Sequence, residues 1–232
     1  PLVAAVTVWR SGPKGLAQGV AAGTGVSLTL VTPFLLNGTL SQLLTLPNEI
    51  YGAMAVLSAN AHNIWWLYSP GPVLVPDDGT IGLLSYRNTG LLLLAVFYGF
   101  SLWRLRGRPE QSQILATAAF LGFSFFMLLT RVHENHMFMV FPLLAVCMVG
   151  DARWRWIYGV LSLTFLANLA LHDPPLAAVL WKAAALPFWQ PLQVANSIVN
   201  TVVLLAWAVL LAVGTGRERA SREAAVPVST LK

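Results

Sequence analysis

Read from the N-terminus, the chain alternates long apolar runs with short polar ones. A bilayer core about 30 Å thick takes roughly 20 residues of apolar helix. Runs near that length fall at Gly15–Leu36, at Thr89–Trp103 with an extension back to Leu83, at Ile114–Thr130, at Trp156–Leu171 and at Val194–Gly214. A shorter run, Met137–Val149, contains Pro142 and is counted as a further span because the alternation of sides requires it. Leu2–Val8, leading into Trp9 and Arg10, reads as the last turns of a helix truncated at its start. None of these runs has the strand-like alternation of a membrane barrel, and backbone polar groups cannot go unpaired in lipid. The expected fold class is therefore all-α, a polytopic transmembrane bundle of about six full spans after the incomplete first helix. One helical domain is expected over 1–214, followed by a basic cytoplasmic tail over 215–232.

Charge assigns sides to this pattern. Arg10, Lys14, Arg104, Arg106, Arg108, Arg153, Arg155, Arg217, Arg219 and Arg222 fall between alternate spans, and only Arg87, Arg131 and Lys182 fall between the others, with Lys232 in the tail. The basic side is cytoplasmic by the positive-inside rule, which places the C-terminus in the cytoplasm. Composition agrees: 56% of residues are hydrophobic and 10% charged, against about 25% charged in a soluble domain. The net charge of +5 comes from these inter-span clusters and not from a basic helix face, so nucleic acid is excluded as a partner. The single cysteine, Cys147, has no thiol partner for a disulfide or a metal.

The long outside segment from Asn37 to Tyr86 holds the first group of candidate residues. Ile50–Tyr68 is apolar but carries Asn60, His62 and Asn63 before Trp65, Trp66 and Tyr68. Amides mixed with aromatic rings suit a membrane interface, so this stretch is expected to be a helix lying on, or dipping into, the outer leaflet. Asn60 and Asn63 then share a helical face, where amides and rings suit a sugar or a lipid head group; an ordinary aromatic belt is the competing reading. Asn37, Gly38 and Thr39 spell an N-glycosylation acceptor, a triplet that chance also produces. Pro70, Pro72, Pro76, Asp77, Asp78 and Gly79 form a breaker-rich loop. Asp77 and Asp78 are a possible divalent-cation pair, against which solvation in the loop is the stronger reading.

The densest polar cluster is Arg131, His133, Glu134, Asn135 and His136, between two apolar runs at the outer boundary. Ionisable groups beside a membrane core are costly and are usually paired or used. Arg131, His133 and His136 suit an anionic phosphate, with Glu134 orienting a substrate group; a water-facing turn that caps two helices is the alternative. The letters HENH suggest zinc, but that motif needs histidines four apart, and position 137 is methionine, so no metal site is expected here.

Taken together, the two clusters resemble the C-terminal part of a polytopic glycosyltransferase of the GT-C class. Leu46–Leu67, LPNEIYGAMAVLSANAHNIWWL, is similar to a segment of bacterial membrane glycosyltransferases that often reads Asn-Ala-Tyr or Phe-Asn-Leu-Trp. It is also similar to the Val-Ala-Asn-Phe-Trp segment of the lumenal glucosyltransferases of asparagine-linked glycosylation. Thr130–Ala145, TRVHENHMFMVFPLLA, resembles the His-Glu-Arg or His-Glu-Lys motif that follows in both groups, in the same order and at similar spacing. His133 and Glu134 match the His-Glu pair, and Asn63 and Trp65 match the Asn and Trp positions. Asn135 stands where those proteins carry Arg or Lys, which leaves Arg131 or His136 to supply the cation.

The resemblance implies an enzyme that moves a hexose such as mannose or glucose from a polyprenyl-phosphate carrier to a glycan, lipid or protein acceptor on the periplasmic or lumenal face. A bacterial inner membrane is the expected location. Glu134 and His133 are the expected catalytic residues; Arg131, His136, Asn60, His62, Asn63, Trp65 and Trp66 are the expected substrate-binding ones. The general base is expected on a first outside loop preceding Pro1. A transporter or flippase for a lipid-linked or anionic substrate, with Asn168, Asn196 and Asn200 as its buried polar residues, is the alternative. A non-catalytic assembly subunit is the third reading.

Overall fold

A computed structural model describes residues 2–70, 74–106, 110–172 and 189–213. The basic tail over 215–232, Pro72, Arg108 and Lys182 lie outside the described residues. Among those described there are eight α-helices, one 3-10 turn and one two-stranded hairpin, so the fold is mostly helical. The helices are α1 (Leu2–Leu36), α2 (Leu40–Ala53), α3 (Ile64–Tyr68), α4 (Tyr86–Arg104), α5 (Gln111–Leu128), α6 (Val140–Gly150), α7 (Ala152–His172) and α8 (Trp189–Val213). Strands β1 (Thr80–Ile81) and β2 (Leu84–Ser85) pair antiparallel ahead of α4, and the 3-10 turn covers Glu134–Met139. Three stretches are long and apolar enough to cross a membrane: Arg10–Leu36 in α1, all of α5, and Gln190–Val213 in α8.

Helices α4 to α8 fall on the apolar runs read from the sequence, and their ends follow from local chemistry. Ser85 caps α4 by accepting from the Asn88 amide at 3.2 Å. Glu110 opens α5 through a reciprocal capping box with Gln113. Pro142 sits in the first turn of α6, where its missing N–H has no intrahelical acceptor to satisfy. The short run Leu2–Val8 and the first long run both lie in α1, which breaks at Gly12 (φ 62°, ψ −160°), a conformation open to glycine.

Helix α5 is the centre of the bundle. Phe120, Phe123 and Phe126 are fully buried, and Phe120 and Phe123 pack on Trp207 of α8 with ring centroids 5.9 and 6.1 Å away. Trp154 of α7 meets the other side of the same cluster, 5.8 Å from Trp207.

The expected helix over Ile50–Tyr68 does not form as one element. Helix α2 stops at Ala53, residues 54–63 run as an irregular segment, and helix resumes only at Ile64. Asn60 adopts φ 62°, which no continuous helix tolerates. Asn63 starts α3 by accepting from the amides of Trp65 and Trp66. The shared helical face of Asn60 and Asn63 therefore does not exist. Residues Leu57, Ala61, His62, Asn63, Trp65 and Trp66 are buried within the protein, so the two tryptophans do not form an exposed belt.

One glycine governs how α4 closes on this core. A Cβ on Gly90 would stand 2.5 Å from the Leu128 carbonyl oxygen and 3.3 Å from the Trp65 ring. That carbonyl already accepts the Trp65 indole N–H at 2.8 Å. Gly90→Ala is therefore expected to lower stability by about 1–3 kcal/mol through overpacking. Gly99→Ala, on the same helix with open space around it, is expected to leave stability unchanged or slightly raised. Thermal unfolding of the two purified variants in detergent compares them directly.

Candidate functional site

Three stretches far apart in sequence are knitted together at one end of α5. The Leu57 amide donates to the Val75 carbonyl at 2.8 Å and the Asp77 amide to Ala55 at 3.2 Å. From the other side, the Arg131 amide donates to Val56 at 2.9 Å and the Ala59 amide to Val132 at 3.1 Å. Isolated bridges pair Ala59 and Asn60 with His133. The two non-glycine residues with positive φ among the described ones, Asn60 and Arg131, both at 62°, lie on the two sides of this junction. Backbone strain of this kind persists only where surrounding bonds impose it, and it gathers at functional sites.

Asparagines hold the junction in place from below. Asn168 of α7 accepts the His62 amide through Oδ1 at 3.0 Å and donates through Nδ2 to the Asn60 carbonyl at 2.6 Å. Asn200 of α8 donates to the His62 carbonyl at 2.9 Å, and the Ser197 hydroxyl donates to the Asn63 carbonyl at 3.1 Å. Asn63 itself donates to the carbonyls of Phe126 and Leu129 at the end of α5. These side chains give buried backbone groups the partners that water would otherwise supply.

His62 is fully buried and its tautomer follows from its neighbours. Asn196 Nδ2 donates to the Thr164 carbonyl at 3.0 Å and to His62 Nδ1 at 2.8 Å, so His62 Nδ1 accepts. Its Nε2 then carries the hydrogen and donates to His172 Nε2 at 3.1 Å. Both imidazoles pack edge-on or tilted against Trp66. Burial first, and the nearby His172 second, push the His62 imidazole down to about 3, so it is neutral at ordinary pH.

The second cluster turns the corner after α5. His133 caps the 3-10 turn, its amide donating to His136 Nδ1 at 2.8 Å, and the two rings stack 5.9 Å apart. Glu134 Oε2 is buried and stands 3.6 Å from His133 Nδ1, within ion-pair range but beyond a hydrogen bond. Arg131 is bound at two points to Asp77: Nε donates to Oδ2 at 2.6 Å and Nη2 to Oδ1 at 2.9 Å. The Thr130 hydroxyl adds a third bond to Oδ2 at 2.9 Å. Burial alone would raise the Asp77 carboxyl, but the bonds from Arg131 and Thr130 outweigh it and hold Asp77 below the usual carboxylate range.

Beside this junction lies a cavity of about 290 Å³. Ile50 of α2, Met54 just after it, Leu91 of α4, and Phe125 and Leu129 at the end of α5 give it an apolar wall. Arg87, Arg131, His133 and His136 stand along the same cavity as basic or polar groups. The arrangement can accept a molecule with one hydrophobic end and one anionic end.

Of the residues expected from sequence, Arg131, His133 and His136 reach the cavity, with Glu134 beside them. Asn60, His62, Asn63, Trp65 and Trp66 adjoin them but serve the junction: Asn63 caps a helix and Trp65 donates inward to Leu128. Asp77 is not a solvated loop residue. It is 2% exposed, and both carboxylate oxygens accept from Arg131 or Thr130. Among the described residues no group of three or more His, Cys, Asp or Glu side chains is gathered around a possible metal position. Sequence reasoning missed His172, Ser197, Thr130 and the role of Arg87. Asn168, Asn196 and Asn200 stood out only as polar residues in apolar runs, a signal that marks use without specifying it. Comparison with protein-family models, with curated proteins and with solved structures gives no match.

The depressed His62 imidazole makes stability depend on acid. Its folded value near 3 lies below the ordinary 6.5, so unfolding takes up a proton, and the stability it contributes is complete above pH 6.5 and lost on the way down towards pH 3. One such group gives a slope of at most about 1.4 kcal/mol per pH unit. The thermal midpoint is expected to hold level from pH 8 to 7 and to fall below pH 6.5, with a shallower fall in His62→Gln. Parallel pH profiles for the two proteins would contradict the assignment.

Proposed function

We propose that the chain is the C-terminal portion of a membrane glycosyltransferase that moves a hexose from a polyprenyl-phosphate carrier to an acceptor on the periplasmic or outer face. The observation that carries this reading is the meeting of the Ala55–Asn63 and Arg131–His136 segments beside one cavity with an apolar wall and a basic rim. The two segments are those that resemble glycosyltransferase motifs, and their contact was not required by either resemblance alone. In this reading α4, α6 and α7 cross the membrane along with α1, α5 and α8, and the junction lies on the side opposite the arginine-rich turns.

The chemistry fits a ligand in two parts. The isoprenoid end takes the wall formed by Ile50, Met54, Leu91 and Phe125, and the phosphate takes the rim. In transfer, the acceptor hydroxyl oxygen attacks the anomeric carbon, its proton passes to the general base expected on another outside loop, and the carbon–oxygen bond to phosphate breaks with its electron pair leaving on the carrier. Negative charge grows on that phosphate, where Arg131, Arg87 and the histidine N–H groups stabilise it. Glu134, with its buried Oε2 3.6 Å from His133 Nδ1, acts through that histidine, which it orients towards the cavity. For the transporter alternative, Asn168, Asn196 and Asn200 are the buried polar residues, and their amides bond the 60–63 segment and His62.

The test is transfer of labelled hexose from synthetic polyprenyl-phosphate-hexose donors by the full-length protein in membranes. Glu134→Gln combined with His133→Ala is expected to reduce transfer by about a hundredfold or more at unchanged expression. Absence of transfer across a panel of hexoses, or transfer indifferent to both substitutions, sinks the proposal.

A further inference from the structure

We propose that Asp77 is a positioning residue, holding the Arg131 guanidinium at the cavity rim in the orientation that an anionic phosphate group meets. The inference rests on the ligand class given to the cavity above. Three observations carry it. Asp77 is anchored through both of its backbone groups, its amide donating to Ala55 and its carbonyl accepting from the Arg87 amide, each at 3.2 Å. Its carboxylate then takes Nε and Nη2 of Arg131 together, a fork geometry that fixes the plane of the guanidinium. Arg131 is itself set in a left-handed backbone conformation by its bond to Val56, so both ends of a long side chain are constrained where it lines the cavity.

Simple charge balance predicts the reverse of positioning. Asp77 offsets one of the two arginine charges, Arg87 and Arg131, at the rim. Were bulk charge the whole effect, removing the carboxylate would raise affinity for an anion. Were orientation the effect, removing it would lower affinity, because an arginine freed to many rotamers must be ordered again on binding. The sign of one substitution therefore separates the two.

The experiment measures equilibrium binding of farnesyl phosphate, and separately of inorganic phosphate, to the purified full-length protein in detergent, with the unfolding midpoint recorded on the same samples. Wild type is expected to bind farnesyl phosphate, and Asp77→Asn to weaken it about tenfold or more. Asp77→Glu should recover much of the loss. Arg131→Lys keeps the charge but loses the fork, so it should weaken binding about as much as Asp77→Asn, with the double variant no worse than either single one. The same ordering with inorganic phosphate would identify phosphate itself as the ligand; a loss confined to farnesyl phosphate would identify a lipid head group. Asp77→Asn binding as tightly as wild type, or more tightly, overturns the positioning role and leaves the cavity reading standing. Should Asp77→Asn fail to fold, wild-type affinity in Arg131→Lys overturns it instead. Wild type that binds neither probe removes the ligand class, and this proposal with it.

Discussion

Between Ala59 and Asn63 the polypeptide passes through the interior of an apolar helical bundle without being helical itself. A buried backbone group left unpaired there costs about 1–3 kcal/mol, and the middles of helix backbones cannot supply partners because their own groups are already paired, so side chains must. Asn168, Asn200 and Ser197 meet that need from α7 and α8, and the Ala59 amide reaches across to Val132. The position of everything else at this end of the molecule follows. Once residues 59–63 are pinned, His133 is paired to them, the turn after α5 is fixed, and Arg131 is carried to the cavity. The positive φ at Asn60 and Arg131 is the local strain that this pinning maintains.

The polar groups at the junction divide into two sets with different surroundings. His62, Asn63, Asn168 and Asn200 have no exposed surface and make bonds among themselves and to backbone, so their chemistry is inward. Arg131, His133, Glu134 and His136 are partly exposed, and three of them line the cavity. Asp77 connects the sets, since it is buried like the first and bonded to Arg131 of the second. The cavity is thus bordered by a buried, internally bonded set of polar groups on one side and a partly exposed basic set on the other.

How far the sequence discloses this differs from element to element. Helices α4, α5, α7 and α8 are legible because long apolar runs have few alternatives, and α6 because the alternation of sides requires it; capping residues such as Ser85 and Glu110 mark two of the starts. The segment from Met54 to Asn63 is not legible by the same rule. Its composition matches an apolar helix, and what breaks it is tertiary: bonds to Val75, Val132 and Asn168 that no local pattern encodes. The two clusters of candidate residues are visible as polar letters in apolar surroundings; that they meet in space is not. Their division of labour is not visible. Trp65 and Trp66 look like surface rings in sequence and are buried, because Trp65 finds its acceptor at Leu128. Asp77 looks like a loop aspartate, and only the fold brings Arg131, 54 residues on, to its side.

The central claim is that residues 55–60 and 131–133 form one bonded junction, and amide hydrogen exchange of the full-length protein in detergent tests it most directly. The amides of Leu57, Ala59 and Arg131 donate to carbonyls of other segments, so they should exchange as slowly as those in the middle of α5. Exchange at the rate of an open loop at these three positions, with α5 still protected, would mean that the two segments do not meet and that the cavity beside them is not built as described.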